Sequence, residues 1–289
     1  LQQLQARLSS QAQLQEQLAS GKRVNRPSDD PAGSVDIMRI RTQQRADAQY
    51  DRNVKNAVSW LSTVDTTLVT VSSRLIEART KVIERNNSGA INVDQRDAIA
   101  TQLESLRDAL LGLANTSYNG RLVFAGTSAE EQAFVMGTDP VTGENTYTHT
   151  GFPGAAVERR VADATTIRVD SDGAAVFGSG SNSMFAILDQ AAKDLRAGND
   201  ISGYIGKIDQ LSSTVLQEAG RIGARVNQAK EAESAIADRK VSLATQLTSV
   251  EDKDTLTALT ELSTLELAYQ VALKATSHIL QPSLLDHIR

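Results

Sequence analysis

Three histidines, His149, His278 and His287, are the side chains of this 289-residue chain with the pKa range to move a proton or bind a metal near neutral pH. They lie far apart in sequence. His278 and His287 are further separated by the helix-ending run "QPS", so all three read as solvated or packed residues. "DSDG", Asp170 to Gly173, opens like a calcium loop. The twelfth position of such a loop would be Ser181, where a bidentate glutamate belongs, so the run reads as a hairpin turn. Ser179 and Ser181 in "GSGSNS" fit neither a nucleophile elbow nor a phosphate loop, and read as a linker. The paired acids Asp29-Asp30 and Glu251-Asp252 have no apolar cleft in nearby sequence to raise one pKa, and read as helix caps or ion pairs. With zero cysteines there is no thiolate nucleophile, thiolate metal site or disulfide. The expectation is no enzyme, no catalytic residue, no metal and no cofactor.

What could position chemistry here instead organises long helices. Hydrophobic residues make up 40% of the chain but aromatics only 4%, a balance that suits helix seams better than a thick core. A formal charge of -5 and a pI near 5.4 give no basic field for phosphates, so no nucleic-acid partner is expected. No apolar run is long enough to span a membrane, so no membrane insertion is expected. The first residues lack the pattern of a cleaved signal peptide. Because the chain starts with Leu1, natural residues are expected to precede it.

Residues 1–20 place Leu1, Leu4, Leu8, Leu14 and Leu18 among seven glutamines and two charges, an amphipathic helix with a nearly uncharged outer face. Gly21 ends it, with Lys22 and Arg23 beside the last carbonyls. Asp30 can cap the next helix, with Pro31 at its first position. From Pro31 to about Asn86, apolar residues from Val54 to Val82 alternate three and four apart, as in a coiled-coil seam. After "NNSGAINVD", with Asp94 as N-cap, Ile99 to Leu113 repeat that spacing, and the short loop makes the two helices antiparallel. The region 120–182 holds half of the eighteen glycines and strand-like runs "RLVFAG", "NTYTHT", "AVERRV" and "TTIRVD". It reads as an inserted β-rich domain with its own small core at the far end of the helical rod. A helix returns at "SMFAILDQAAKDLRAG". A ladder from Ile201 to Val250 follows, broken only by Ser212, Glu233 and Lys240. After the charged pause "EDKD", a last stripe runs through Leu256, Leu259, Leu262, Leu265, Ala268, Ala272, Ala275 and Ile279. Both terminal helices are too bland outside for a solvated surface and suit burial against further protein copies.

The runs "SGKRVNRPSDDPAG", "NAVSWLSTVDTTL", "RDAIATQLESLRDALLGLANTSYNGRLVFAGT", "RIGARVN" and "ALKATSHILQPSLLDHIR" carry a resemblance to the flagellin family, over about three quarters of the chain. Within it they are most similar to the branch that forms hook-filament junctions. The resemblance implies a mainly α protein, an antiparallel long-helix coiled-coil rod with a β-rich insertion. Segments 1–20 and 255–289 would be terminal assembly helices lining an axial core. Segments 21–30 and 251–254 would form a connector, 31–119 and 183–250 the rod, and 120–182 the inserted domain. Subunit contacts would fall on Leu4, Leu8, Leu14, Leu18, Leu256, Leu259, Leu262, Leu265, Ile279, Leu284 and Leu285. In the connector, Lys22, Arg23 and Arg26 would face acids such as Asp29, Asp30, Glu251 or Asp252 to stiffen the bend between layers. The implied role is a structural adaptor, exported by the flagellar type III pathway to the extracellular flagellum without a cleaved signal peptide. Its implied partners are hook-associated protein 1, flagellin, further copies of itself in a ring, and the export apparatus with its chaperone. The alternatives are a bulk filament flagellin and, on heptads alone, a helical sensor or ligand-binding domain.

Overall fold

Apolar residues at alternating three- and four-residue spacing can be buried only if a helix meets partners of the same period, and the structure is built on that pairing. The computed structural model describes residues 2–87 and 92–280. Seven α-helices occur among them: α1 (Gln2–Ser20), α2 (Pro31–Asn87), α3 (Val93–Ala114), α4 (Gly173–Phe177), α5 (Met184–Ala197), α6 (Gly203–Glu251) and α7 (Thr255–Leu280). Between α3 and α4 lie six short strands: β1 (Ser117–Tyr118), β2 (Arg121–Leu122), β3 (Phe134–Thr138), β4 (Asn145–His149), β5 (Glu158–Ala162) and β6 (Thr165–Arg168). They pair as three separate antiparallel two-stranded ribbons, β1-β2, β3-β4 and β5-β6. The chain divides into two compact units, residues 49–236 and residues 1–48 with 237–289.

In the unit of residues 49–236 the α2 seam from Val54 through Leu61, Leu68 and Leu75 to Val82 is completely buried. Along α6, Ile208, Val215, Ile222, Ala229 and Ile236 are buried while the intervening Ser212, Ala219, Val226 and Glu233 are half-buried. The three-four ladder is therefore one fully covered row with a flanking row at its edge. Arg79 on α2 pairs with Asp209 on α6 at 2.6 Å, and Arg196 on α5 reaches Asp97 on α3 at 2.7 Å and also Glu104.

Three expectations are corrected by this unit. Asp94 does not cap α3; Asn92 does, accepting from the Gln95 amide at 2.8 Å while the Gln95 side chain accepts from the Asn92 amide at 3.2 Å. Asparagine offers the same acceptor as aspartate, and here the reciprocal pairing with the third helical residue selects it. "DSDG" is not a hairpin turn, because Asp172 caps α4 and Asp170 is buried. The Asp170 carboxylate is taken up by Arg168 at 2.9 Å and by the Val157 amide at 2.9 Å. The strand-rich region has neither a core of its own nor a place at the end of the rod. Phe124, Phe134, Phe177 and Phe185 pack ring to ring and belong to the same buried cluster as the α2 and α6 seams. The β5-β6 ribbon lies along α2, with Tyr50 donating to Asp163 at 2.7 Å and Asn53 to the Arg160 carbonyl at 2.7 Å. The residues just beyond it reach α6, where Ser171 donates to Glu218 at 2.8 Å. The reason is topological: α3 runs back along α2, so the chain has returned to the level of Trp60, whose ring meets that of Tyr118 at 5.4 Å and a tilt of 51°, before the strands begin.

"DPVTGE" does form the β3-β4 turn, with the Gly143 amide on the Asp139 carbonyl at 2.8 Å. A buried ion pair fixes this ribbon: Arg107 on α3 meets Asp189 on α5, and Asn145 of β4 donates to the same carboxylate at 3.1 Å.

The seam sets the stability of this unit. Leu68→Ala, at a side chain with no exposure, is expected to cost about 2–5 kcal/mol in urea unfolding followed by circular dichroism. Val69→Ala, on the exposed face of the same helix, is expected to change it by less than about 0.5 kcal/mol.

Candidate functional site

The site is the connector in the unit of residues 1–48 and 237–289. Gly21 adopts φ +69°, a left-handed conformation that stops α1 and that side-chain-bearing residues adopt only with strain. The next residues pair antiparallel with the end of α6. The Arg23 amide donates to the Glu251 carbonyl at 2.7 Å, and the Lys253 amide donates to the Gly21 carbonyl at 3.0 Å. Lys22 and Asp252 form the bridge between them. The chain then turns on Asp29, whose carboxylate accepts from the amides of Asn25 at 3.1 Å and Arg26 at 2.8 Å. Asp30 caps α2 by accepting from the Gly33 amide at 2.9 Å. A Cβ at Gly33 would come within 2.5 Å of the Asp30 carboxylate and push that cap aside.

The basic residues each have a partner inside the chain. Lys22 sits 2.5 Å from the Glu251 carboxylate, and Arg41 bonds both of its oxygens at 2.8 and 2.9 Å. Arg23 spans Asp30 at 3.0 Å and the Val250 carbonyl at 2.9 Å. Arg26 reaches back to Glu16 on α1 at 3.0 Å. Of the four expected acids, Glu251 and Asp30 receive the basic side chains, Asp29 holds loop backbone, and Asp252 contributes its backbone. The Glu251 carboxyl is only 4% exposed. Its burial pushes the pKa up, but the Lys22 hydrogen bond and the charges of Arg41 and Lys22 outweigh that and hold it below the ordinary 4.5. The Gly33 amide does most to lower Asp30, and the Thr257 hydroxyl does most to lower Asp254, which caps α7.

Arg41, Glu16, Gln17, Gly33 and Asp254 were missed in the sequence. Gln17 donates to the Arg23 carbonyl at 2.8 Å. Gly33 and Asp254 had a local signal, three residues after a cap and just before a helix. Arg41 had none, since its partner is 210 residues away.

Beyond the connector α1 packs on α7. Leu14 and Leu18 on α1, and Leu262, Leu265 and Ala268 on α7, are half-buried, and Ala258 is fully buried. The last stripe does not form one face. At about 100° per residue, Leu256 lies on the side of α7 opposite Ala258 and Leu265 and shares it with Leu267 and Val271, while Leu259 lies on the flank between. All four are exposed, Leu256 by 77%. Leu8 is exposed as well. The side chains of Leu4 and Ile279, and residues Leu284 and Leu285, lie outside what the structure describes.

None of this arranges a reactive centre. His149 bonds the Phe124 carbonyl at 2.9 Å and packs at a tilt against the Phe134 ring, His278 has no described side chain, and His287 lies outside the described residues. Among the described residues no group of His, Cys, Asp and Glu could hold a metal ion, and no helix is long and apolar enough to cross a membrane.

Long paired helices closed by a polar connector, with apolar surface left exposed at their ends, define a class of helical assembly subunit. Residues 1–129 match the bacterial flagellin N-terminal helical region and residues 205–288 the bacterial flagellin C-terminal helical region. The chain belongs to the flagellin family and is a structural protein of the bacterial flagellum, not an enzyme. It is 29% identical to flagellar hook-associated protein 3 of Salmonella typhimurium, over 83% of this chain and 81% of that protein. It is 26% identical to flagellar hook-associated protein 3 of Escherichia coli, covering 90% and 87%. It is 25% identical to flagellin of Bacillus subtilis, covering 74% and 70%. In fold it is similar to flagellar hook-associated protein 3 of Legionella pneumophila, with a TM-score of 0.65, 16% identity, and 74% and 98% of the two chains covered.

Glu251, beside Asp30 and Asp254, makes the connector pH-dependent. Its folded pKa lies below its unfolded value, so its stabilisation is complete above about pH 4.5 and is lost as pH falls through the lowered folded value. Glu251→Gln is expected to make the acid limb shallower, by Glu251's share, in a series of melting curves between pH 3 and 7. At pH 7 it should cost about 1–3 kcal/mol, the range for hydrogen bonds to a charged group with half-exposed partners.

Proposed function

We propose that this chain is the structural adaptor between the hook, through hook-associated protein 1, and the flagellin filament. Two observations support the reading. The similarity to hook-associated protein 3 is higher and covers more of both chains than the similarity to Bacillus subtilis flagellin. The α7 helix is apolar on both faces while only one is covered inside the chain, and a helix apolar all round is at home only when fully buried.

The exposed face of Leu256, Leu259, Leu267 and Val271 packs on neighbouring subunits together with the exposed Leu8, and Leu4, Ile279, Leu284 and Leu285 join the subunit contacts by the family resemblance. Leu14, Leu18, Leu262 and Leu265, half-buried within the chain, complete it. Lys22, Arg23, Arg26, Asp29, Asp30, Glu251 and Asp252 serve assembly indirectly, by fixing how the chain passes from α1 to α2 and from α6 to α7. Copies close into a ring after export through the flagellar type III apparatus, with a chaperone shielding the apolar face beforehand.

Deletion of the gene tests the role. The expected phenotype is hooks without filaments and flagellin monomer leaking into the medium, because the subunit's loss removes the seat of the filament. A deletion strain that lacks the major filament protein in both filament and medium would mean the chain is bulk flagellin. Leu259→Asp is expected to leave monomer melting within about 0.5 kcal/mol of wild type while abolishing filament retention in the complemented strain.

A further inference from the structure

Near its start α2 carries a row of exposed residues on the side opposite its buried one. Val35, Met38, Thr42 and Arg45 alternate three and four apart, and the exposed Gln49 and Arg52 continue the period. Val35 and Met38 are more than half exposed. Among the described residues neither arginine of the row meets an acid. Arg45 donates to the Arg41 carbonyl at 3.3 Å and to the Thr42 hydroxyl at 3.2 Å, and Arg52 donates to the Gln49 side chain. Along one flank of the row lies an open hollow lined by Met38, Arg41, Gln44, Arg45 and Ala48. The face is therefore apolar at one end, basic at the other, and indented along its side.

The outer side of α6, in the same unit, carries a row of the same period. Asp238, Val241, Thr245 and Thr248 are exposed, and the exposed Ser234 and Glu231 continue the row toward the start of the helix. Among the described residues Asp238 and Glu231 meet no basic side chain. Val241 is more than half exposed, and Ala235 and Ala237 beside Asp238 are too small to hold a second helix away. When the two rows are set antiparallel so that Arg45 faces Asp238, every rung falls opposite a rung. Arg52 then faces Glu231, while Val35 and Met38 face the methyl-bearing Thr248 and Thr245. Val241 comes to the level of Thr42, on the flank where α2 has its hollow. A parallel dock can bring Arg45 to Glu231 and Arg52 to Asp238, but it sets Gln49 against Ala235, out of step with the row, and Val241 against Lys55.

We propose that the occupant of this α2 face is the Glu231-to-Thr248 face of α6 from a second copy of the chain, docked antiparallel with Arg45 on Asp238 and Arg52 on Glu231. Charges that meet no opposite charge within the chain gain one, the apolar rungs leave water together, and the shared period fixes direction and register. The Thr42 and Thr245 hydroxyls already donate to the Met38 and Val241 carbonyls at 2.8 and 3.1 Å, so the contact orphans neither donor. Within this unit α2 and α6 are themselves antiparallel, since Arg41 pairs with Glu251 and Asp47 with Arg239. Pairing α2 with the next copy's α6 therefore leaves all copies pointing the same way. The contact joins two different faces, so it is heterologous, and a heterologous contact that closes generates a ring. The inference rests on the self-assembling role proposed above and names the surface by which copies meet.

The absence of native cysteine lets the contact be read directly. A chain carrying Thr42→Cys and Val241→Cys, which face each other in this register, is introduced into the deletion strain, and its flagella are treated with a short bis-maleimide. The expected product is a series of covalent multimers of the chain. Each single variant should give none, and the two single variants co-expressed should give dimers and nothing larger. Multimers absent from flagella that carry the double variant, or dimers from either single variant alone, would overturn the proposal. The length of the series separates the contact from the role it rests on. A series that stops at a small ring supports contact and adaptor together, whereas an open-ended series supports the contact and overturns the adaptor role. Charge reversal supplies a second readout that does not depend on crosslinking. Asp238→Arg, at an exposed position, should leave monomer melting unchanged and lower the filament-bearing fraction at least tenfold by setting arginine against Arg45. Adding Arg45→Asp should restore that fraction to at least half of wild type, because the exchanged charges meet at every contact. Full filament retention in Asp238→Arg, or no recovery in the double reversal, would also overturn the proposal.

Discussion

A carboxylate taken out of water must be given charge and hydrogen bonds in return, and Glu251 is the carboxylate on which the terminal unit turns. It closes α6. Its side chain is gripped by Lys22 from the segment after α1 and by Arg41 from the third turn of α2, and its carbonyl accepts from the Arg23 amide. One residue thereby ties the end of α6 to the segment after α1 and to the first turns of α2. Two further acids act on the same region, Asp30 as the cap that starts α2 and Asp254 as the cap that starts α7. The bend is thus made of backbone pairing and capping bonds, with the charges holding them in place. Surface pairs such as Arg26–Glu16, both exposed, add little to that.

With its route fixed at the connector, the terminal unit is left with more apolar surface than it can cover. Two helices packed along one face bury only that face, and α7 carries leucine and valine on the other. Such a face is unstable in water and stable in a repeat of identical subunits, where the uncovered side of one copy meets another. The bland Gln, Ser and Thr residues between the leucines belong to the same requirement, because charges would have to be desolvated at each contact.

The unit of residues 49–236 solves the opposite problem. Its seams are closed, and the strand region is drawn onto the helices by the aromatic cluster and by polar anchors such as Asn53 to Arg160 and Arg107 to Asp189. The ribbons are too short to support a sheet of their own, which is why four of the five phenylalanines join the helical core while Phe152 remains exposed.

The heptad seams of α2, α3 and α6, the glycine stop at Gly21, the cap at Asp30 and the pause before α7 were legible in the sequence, because each depends on neighbours within a turn or two of the chain. Periodicity states which side of a helix is apolar, and a cap is decided by residues three positions apart. The family resemblance implied that the connector would be held by charge, but not which charge would meet which. Arg41 was invisible, because a single arginine on a helix carries no mark of an acid 210 residues later. The assignment of Asp29 to loop backbone, the placing of the strands beside α2, and the division of α7 into a covered and an uncovered face were decided only in three dimensions. Local pattern fixes the period and the ends of a helix. Which apolar rows find partners within the chain, and which are left for another copy, depends on the helices that long-range topology brings alongside.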